Sequence, residues 1–213
     1  MSIQIENYPT LSTYAVLANK PIAAANKTTI TNGYFGSSEI PTLDTSNLQP
    51  ASNLQNSPNA TTALSELSEF IGDINAIIPQ THITTITITP ITGQQKYTPG
   101  SYYSSSSMVY DTDSSITFDA EGDNNAQFFI ISDSSITFSN VLSINLMNGA
   151  TNRNVFWLAN TDITFTGSLP STIPGIFIAY NSISILNNSN ILGRLYAENN
   201  DIVFSGISFI DTL

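Results

Sequence analysis

Cysteine is missing from all 213 residues, so neither a disulfide framework nor a thiolate metal site is available. Charge is scarce, at 10% of residues, where soluble domains carry roughly a quarter. Positive charge is scarcest. Lys20, Lys27, Lys96, Arg153 and Arg194 are the only basic residues apart from His82, and 16 acidic residues bring the net charge to −11. Nucleic acid is held by clustered cations that neutralise phosphates, and these five are scattered. An anionic membrane surface repels such a chain for the same reason. Both partners are set aside. Long apolar runs are also absent. No segment approaches the roughly 20 residues of a membrane span, so no membrane insertion is expected. The opening residues, MSIQIENYPTLSTYAVLANK, have no basic n-region and no continuous apolar h-region. That predicts no signal peptide, and synthesis inside the cell with assembly into a particle or surface structure.

The groups that catalysis draws together are missing too. A hydrolytic site wants converging acids with a base or a metal. His82 stands beside a Thr-rich stretch with no recognisable triad, and no phosphate loop or nucleotide fingerprint occurs. The densest acidic stretch, DTDSSITFDAEGD, brings together Asp111, Asp113, Asp119, Glu121 and Asp123. It does not follow calcium-loop spacing, because SSITF fills the positions that should supply further oxygens and the turn glycine. AEGDNN reads instead as a turn. The expectation is no enzyme, no cofactor and no metal.

What the sequence does have is hydrophobic residues at 41%, enough for a core, and a repeat. DSSITF at 113–118 recurs letter for letter at 133–138, followed by TDITF at 161, NSISI at 181 and NDIVF at 200. Their first isoleucines, Ile116, Ile136, Ile163, Ile183 and Ile202, are separated by 20, 27, 20 and 19 residues. The long step holds NGATNRN, a loop-forming insertion. A second phrase runs about six residues ahead of the first: FII at 129, FWL at 156, IFI at 176 and LYA at 195. A period near 20 with two short strands indicates a solenoid of stacked coils. Both copies of DSSITF are then expected on one solvent-facing strand position, used again by the next coil.

The two phrases differ in pattern. Around each marker isoleucine, apolar and polar residues alternate, so one side packs and the other meets water. FFII, VFWL and GIFIA are apolar at both parities, which describes a strand buried on both faces that needs a cover. SPNATTALSELSEFIGDINAIIP supplies it. Leu64, Leu67, Ile71, Ile74 and Ile78 recur at helical spacing, with Phe70 and Ile77 widening the stripe. Ser57 and Pro58 suit an N-cap and first turn, and Pro79 a stop. The spacing predicts a helix over about 58–78.

Several stretches resemble the microbial ice-binding-like family: YAVLA (14–18), TTITNGYFG (28–36), YTPGSYY (97–103), ITFDAEGDNNAQFFII (116–131), NGATNRNVFWLANTDITF (148–165) and GRLYAENNDIVF (193–204). Their order covers nearly the whole chain. The resemblance implies a single mainly β domain over 1–213, a right-handed discontinuous β-solenoid of triangular section with one long α-helix packed alongside and its clearest coils over 97–213. It also implies that N- and C-terminal segments form neighbouring coils, and that characterised members bind ice through a flat, helix-free face and are mostly secreted.

The candidate ice-binding face is the outward parity of the marker strands. Thr117, Thr137, Thr164, Ser184 and Val203 would form its central column. Ser115, Ser135, Asp162, Ser182 and Asp201 would flank it on one side, and Asp119, Ser139, Thr166, Leu186 and Ser205 on the other. Strand spacing of about 4.7–4.9 Å and alternate-residue spacing of about 6.6–6.8 Å suit a template for ordered water. Thr, stiff at χ1, keeps such an array in place. Ser115, Thr117, Ser135, Thr137, Ser139, Thr164, Thr166, Ser182 and Ser184 are the residues expected to bind. Asp119, Asp162 and Asp201 interrupt the array. Ser and Thr are also ordinary solvent-facing strand residues. Two readings therefore stand: an ice surface as the partner, or a protein partner in a surface layer or particle such as a virion, with the fold kept and ice activity lost. ITTITITP (83–90), with Thr85, Thr87 and Thr89 on one parity, reads as a single strand following the helix.

Overall fold

A computed structural model describes residues 3–39, 46–56, 59–77, 83–86, 90–206 and 208–212. The chain winds through three walls, and every strand pairing is parallel among the described residues. Parallel strands need a crossover between them, and here each crossover is the rest of one coil.

The first wall stacks Ile83–Thr85, Gly100–Ser104, Phe128–Ser132, Val155–Ala159, residues 176–179 and 194–197, then Tyr14–Ala18, Tyr34–Ser37 and Leu54–Asn56. The second wall is a sheet of 6 strands: Met108–Tyr110, Ile136–Ser139, Ile163–Thr166, Ile183–Ile185, Ile202–Phe204 and Ile22–Ala24. The third wall comes in two panels. One is a sheet of 3 strands, Gln94–Tyr97, Ser114–Asp119 and Val141–Met147. The other runs from residues 173–174 and 189–192 through Ser208–Asp211 and Thr28–Ile30 to Leu48–Gln49. This second panel is continuous with the first wall, because Ile173–Ala179 and Ser189–Ala197 each span two walls. They turn at the paired glycines Gly175 and Gly193. A Cβ on Gly193 would stand 1.7 Å from the Gly175 carbonyl oxygen, so only glycine fits this corner.

The solenoid is discontinuous in sequence. The last coil, 194–211, pairs on all three walls with the first, 14–30: Leu195 with Val16, Ile202 with Ile22, and Ser208 with Thr28. Arg194 crosses this seam and donates to the Tyr14 carbonyl at 2.5 Å. The helix Asn59–Ile77 then carries the chain back along the first wall to begin again at Ile83.

Two cores result. Inside the coils, Trp157 lies parallel to Phe177 and edge-on to Tyr110, Phe118 and Phe138. Outside the first wall, Phe129, Phe156, Ile176, Ile178 and Tyr196 are covered by the helix. The expected stripe is displaced by a little. Ala60, Ala63, Leu67, Phe70 and Ile74 are fully buried, whereas Leu64, Ile71 and Ile77 lie on its shoulders. Ala60 and Ala63 begin the buried stripe in the first turns, and the larger Leu67, Phe70 and Ile74 continue it along the wall. Ser57, Pro58, Ile78 and Pro79 lie outside the described residues.

An N-terminal strap holds the helix along one flank. Glu66 Oε2 accepts from the backbone N–H of Thr10 at 2.9 Å and of Leu11 at 2.7 Å, while Tyr8 donates to Asp73 Oδ2 at 2.5 Å. Burial and the Asp73 carboxylate push the Tyr8 hydroxyl well above its usual pKa.

Candidate functional site

The second wall is a helix-free sheet of 6 strands with even geometry. Its five strand junctions carry no register shift. Their inward residues repeat: Tyr110, Phe138 and Phe165 stack with centroids 5.5 and 5.0 Å apart and planes within 11°. Such a ladder of rings fixes the spacing of the backbone above it. The outward residues between the buried ones are half-buried or exposed and meet in columns.

The central column reads Val109, Thr137, Thr164, Ser184, Val203, Ala23. Thr137, Thr164 and Ser184 stand where the sequence places them. Ser139 and Thr166 pair beside them on the side nearer the third wall. Ser135 and Ser182 lie on the side nearer the first wall, where Ser135 Oγ donates to Ser107 Oγ at 3.0 Å.

Ser115 and Thr117 do not belong to this face. Their strand lies in the third wall, where Ser115 pairs with Gln94 and Ser143, and Thr117 with Lys96 and Asn145. The marker Ile116 therefore stacks on Gln95 and Ile144, and Met108 takes its place beside Ile136. Two consecutive left-handed residues explain the shift. Thr112 at φ 45° and Asp113 at φ 61° turn the chain through a corner at the very start of the first DSSITF. The second copy has no such turn ahead of it.

Asp119 leaves the face with Thr117. It pairs with Lys96 at 2.8 Å and accepts from Asn148 Nδ2 at 2.7 Å and the Glu121 N–H at 3.0 Å. The ion pair with Lys96 leads these bonds in holding the carboxyl down to about pKa 2. This network ties together three coils and lines a shallow polar concavity with Gln94, Thr117 and Asn145.

Val109, Ala23 and Asp111 join the second wall without having been read from the sequence. MVY and IAA share no letters with the repeated phrase. Ile22 does stand six residues after Val16, much as Ile202 stands seven after its partner Leu195, and that offset was the usable signal. Asp111 sits at the edge nearer the third wall. Its Oδ1 accepts from Thr112 N at 2.7 Å, Asn140 Nδ2 at 2.9 Å and Ser139 Oγ at 3.3 Å. The Asn140 bond leads in lowering its pKa. His82, Thr87 and Thr89 lie outside the described residues, and Thr85 is exposed on the terminal strand of the first wall. Among the described residues, no three His, Cys, Asp or Glu side chains converge as a metal site would require, and no helix is long and apolar enough to cross a membrane.

The sequence model of the ice-binding-like family matches residues 8–208. The chain belongs to the ice-binding-like family. Among solved structures, an ice-binding protein from an Antarctic biological consortium is 25% identical, with a TM-score of 0.83 over 99% of this chain and 91% of that one. The DUF3494 domain of ice-binding protein 1 from Shewanella frigidimarina is 16% identical, with a TM-score of 0.77 over 96% of this chain and 95% of its own. An ice-binding protein from the Antarctic ascomycete Antarctomyces psychrotrophicus is 20% identical, with a TM-score of 0.74 over 96% of both. At those identities the last two establish the fold. No curated protein matches the sequence. The fold of the ice-binding-like family, a mainly β solenoid with a helix alongside, is therefore the fold of this chain.

Proposed function

We propose that this family member binds ice, without catalysis, through its second wall. The observation that carries the reading is the column Val109–Thr137–Thr164–Ser184–Val203–Ala23, set on 6 strands in unbroken register and left uncovered by the helix. Family membership and the Antarctic ice-binding structure at 25% identity support it. Val is nearly isosteric with Thr, so four of the six positions present a γ-methyl at one height. Methyl groups at fixed spacing leave water few orientations except ice-like ones, and the neighbouring hydroxyls anchor that water by hydrogen bonds. The array is rigid before ice arrives, so binding costs little side-chain entropy.

Thr137→Tyr tests this. The residue faces water, so the melting temperature should stay within the range of neutral surface changes. A phenol standing above the plane should abolish thermal hysteresis and crystal faceting. Full activity in this variant would remove the second wall as the site. The rival reading, a structural or adhesive surface component, draws on the carboxylates that border the face. It expects round, unmodified ice crystals together with self-association or capture in a particle.

A further inference from the structure

We infer that the carboxylates bordering the second wall are water anchors belonging to the ice-binding face, not interruptions of it; this rests on the ice-binding reading above. Three carboxylates lie on its two edges, and they share one arrangement. On the edge nearer the first wall, Ser182 stands between Asp162 and Asp201, one coil from each. It donates its backbone N–H to Asp162 Oδ1 at 3.1 Å and its hydroxyl to Asp201 Oδ1 at 2.5 Å. On the opposite edge, Asp111 Oδ1 takes the three bonds from Thr112, Asn140 and Ser139. Each carboxylate is thus held by one oxygen, and its Oδ2 carries no hydrogen bond to protein among the described residues.

A free surface carboxylate swings and carries its hydration shell with it, which opposes an ordered layer. A carboxylate fixed through one oxygen has already lost that freedom on folding. Its second oxygen then holds water at a fixed point, through a charge-assisted bond of about 2.5–2.7 Å. Asp162 and Asp201 are two strands apart on this wall, roughly 9.5 Å by strand spacing. Anchored water on each would therefore repeat in step with every second residue of the Thr column. The pair would extend the templated layer sideways and help choose the ice plane.

The test is the double variant Asp162→Asn, Asp201→Asn, compared with the parent protein. Asn keeps the size and one acceptor oxygen, so the bonds from Ser182 can persist, but the charge is lost and the second oxygen is replaced by a donor. Anchoring predicts a severalfold loss of thermal hysteresis and altered crystal shape at unchanged melting temperature. Interruption predicts the opposite sign, a gain. A gain, or no change, overturns the inference while leaving the ice-binding reading intact. A parent protein that neither shapes ice nor shows hysteresis sinks both. A near-atomic crystal structure gives a readout independent of activity. Water on Asp162 Oδ2 and Asp201 Oδ2 ordered as well as the protein is expected, and no ordered water there overturns the anchor role.

Discussion

The six residues DSSITF occur twice, and the two copies finish in different surroundings. Around Thr137 the neighbours are Val109 and Thr164, on a wall of 6 strands without a register shift. Around Thr117 they are Lys96 and Asn145, on a panel of 3 strands whose pairing slips between Ser114 and Ser115. The slip leaves Leu142 as a bulge residue 59% exposed, and Met147 at the strand end is 49% exposed. Beneath the surface the copies agree, since Ile116, Phe118, Ile136 and Phe138 are all fully buried. An identical phrase thus specifies a strand with the same Ile and Phe turned inward, though one copy runs from Ser114 to Asp119 and the other only from Ile136 to Ser139. What the outward side can do is decided by the coils above and below.

The sharpest way to break this comparison is to make the same change in both copies. Thr137→Tyr is expected to abolish ice shaping, and Thr117→Tyr to leave it at the parent level, measured side by side by thermal hysteresis. Equal loss in both would mean that ice contacts the third wall too, and the distinction between the copies would collapse.

Removing the ring beneath each threonine comes next. Phe138 contacts Tyr110, Phe165, Trp157 and Phe177, and Phe118 contacts Tyr97, Phe128 and Trp157. Either Phe→Ala change should cost about 3–5 kcal/mol in denaturant unfolding, since both leave a cavity in a packed core. Only Phe138→Ala should also weaken ice binding in the folded protein, because the ladder it breaks lies under the proposed face.

These outcomes bear on what could be read from residues alone. Alternation at the marker isoleucines and double apolarity in FFII and VFWL revealed the strands, their inward sides and the need for a helical cover. Those are local properties, and the structure bears them out. Wall assignment was not local. The phase of Ser114–Asp119 depends on Thr112 and Asp113 adopting φ of 45° and 61°, which neither residue type advertises as glycine would. Val109 and Ala23 were hidden because their place on the face comes from pairing with Thr137 and Val203, and not from any likeness of sequence.

A smaller effect separates the two surfaces by pH. Asp119 is held near pKa 2, below its ordinary 3.8, mainly by Lys96. Between those values the unfolded chain binds a proton that the folded one does not, so stability from this site falls as pH falls. It is complete above about pH 4 and lost toward pH 2. Asp119→Asn should therefore melt below the parent at pH 6, and the gap should close as pH approaches 2. Ice binding should be indifferent to the substitution at pH 6, because the ion pair belongs to the third wall. A gap that stays constant with pH would show that Asp119 acts through its size and hydrogen bonds alone.

The smallest expected change refines the second wall itself. Val109→Thr extends the hydroxyls of Thr137 and Thr164 by one coil without altering shape. Val109 is half-buried and outward-facing, so the added hydroxyl can reach water and stability should move by no more than about 0.5 kcal/mol. If hydroxyls and methyls act together, thermal hysteresis should rise modestly. A fall would mean that an apolar border at the end of the column matters more than its length. The apolar residues, Val109 at one end and Val203 with Ala23 at the other, would then be working ends of the face, whereas Thr137, Thr164 and Ser184 would form its centre.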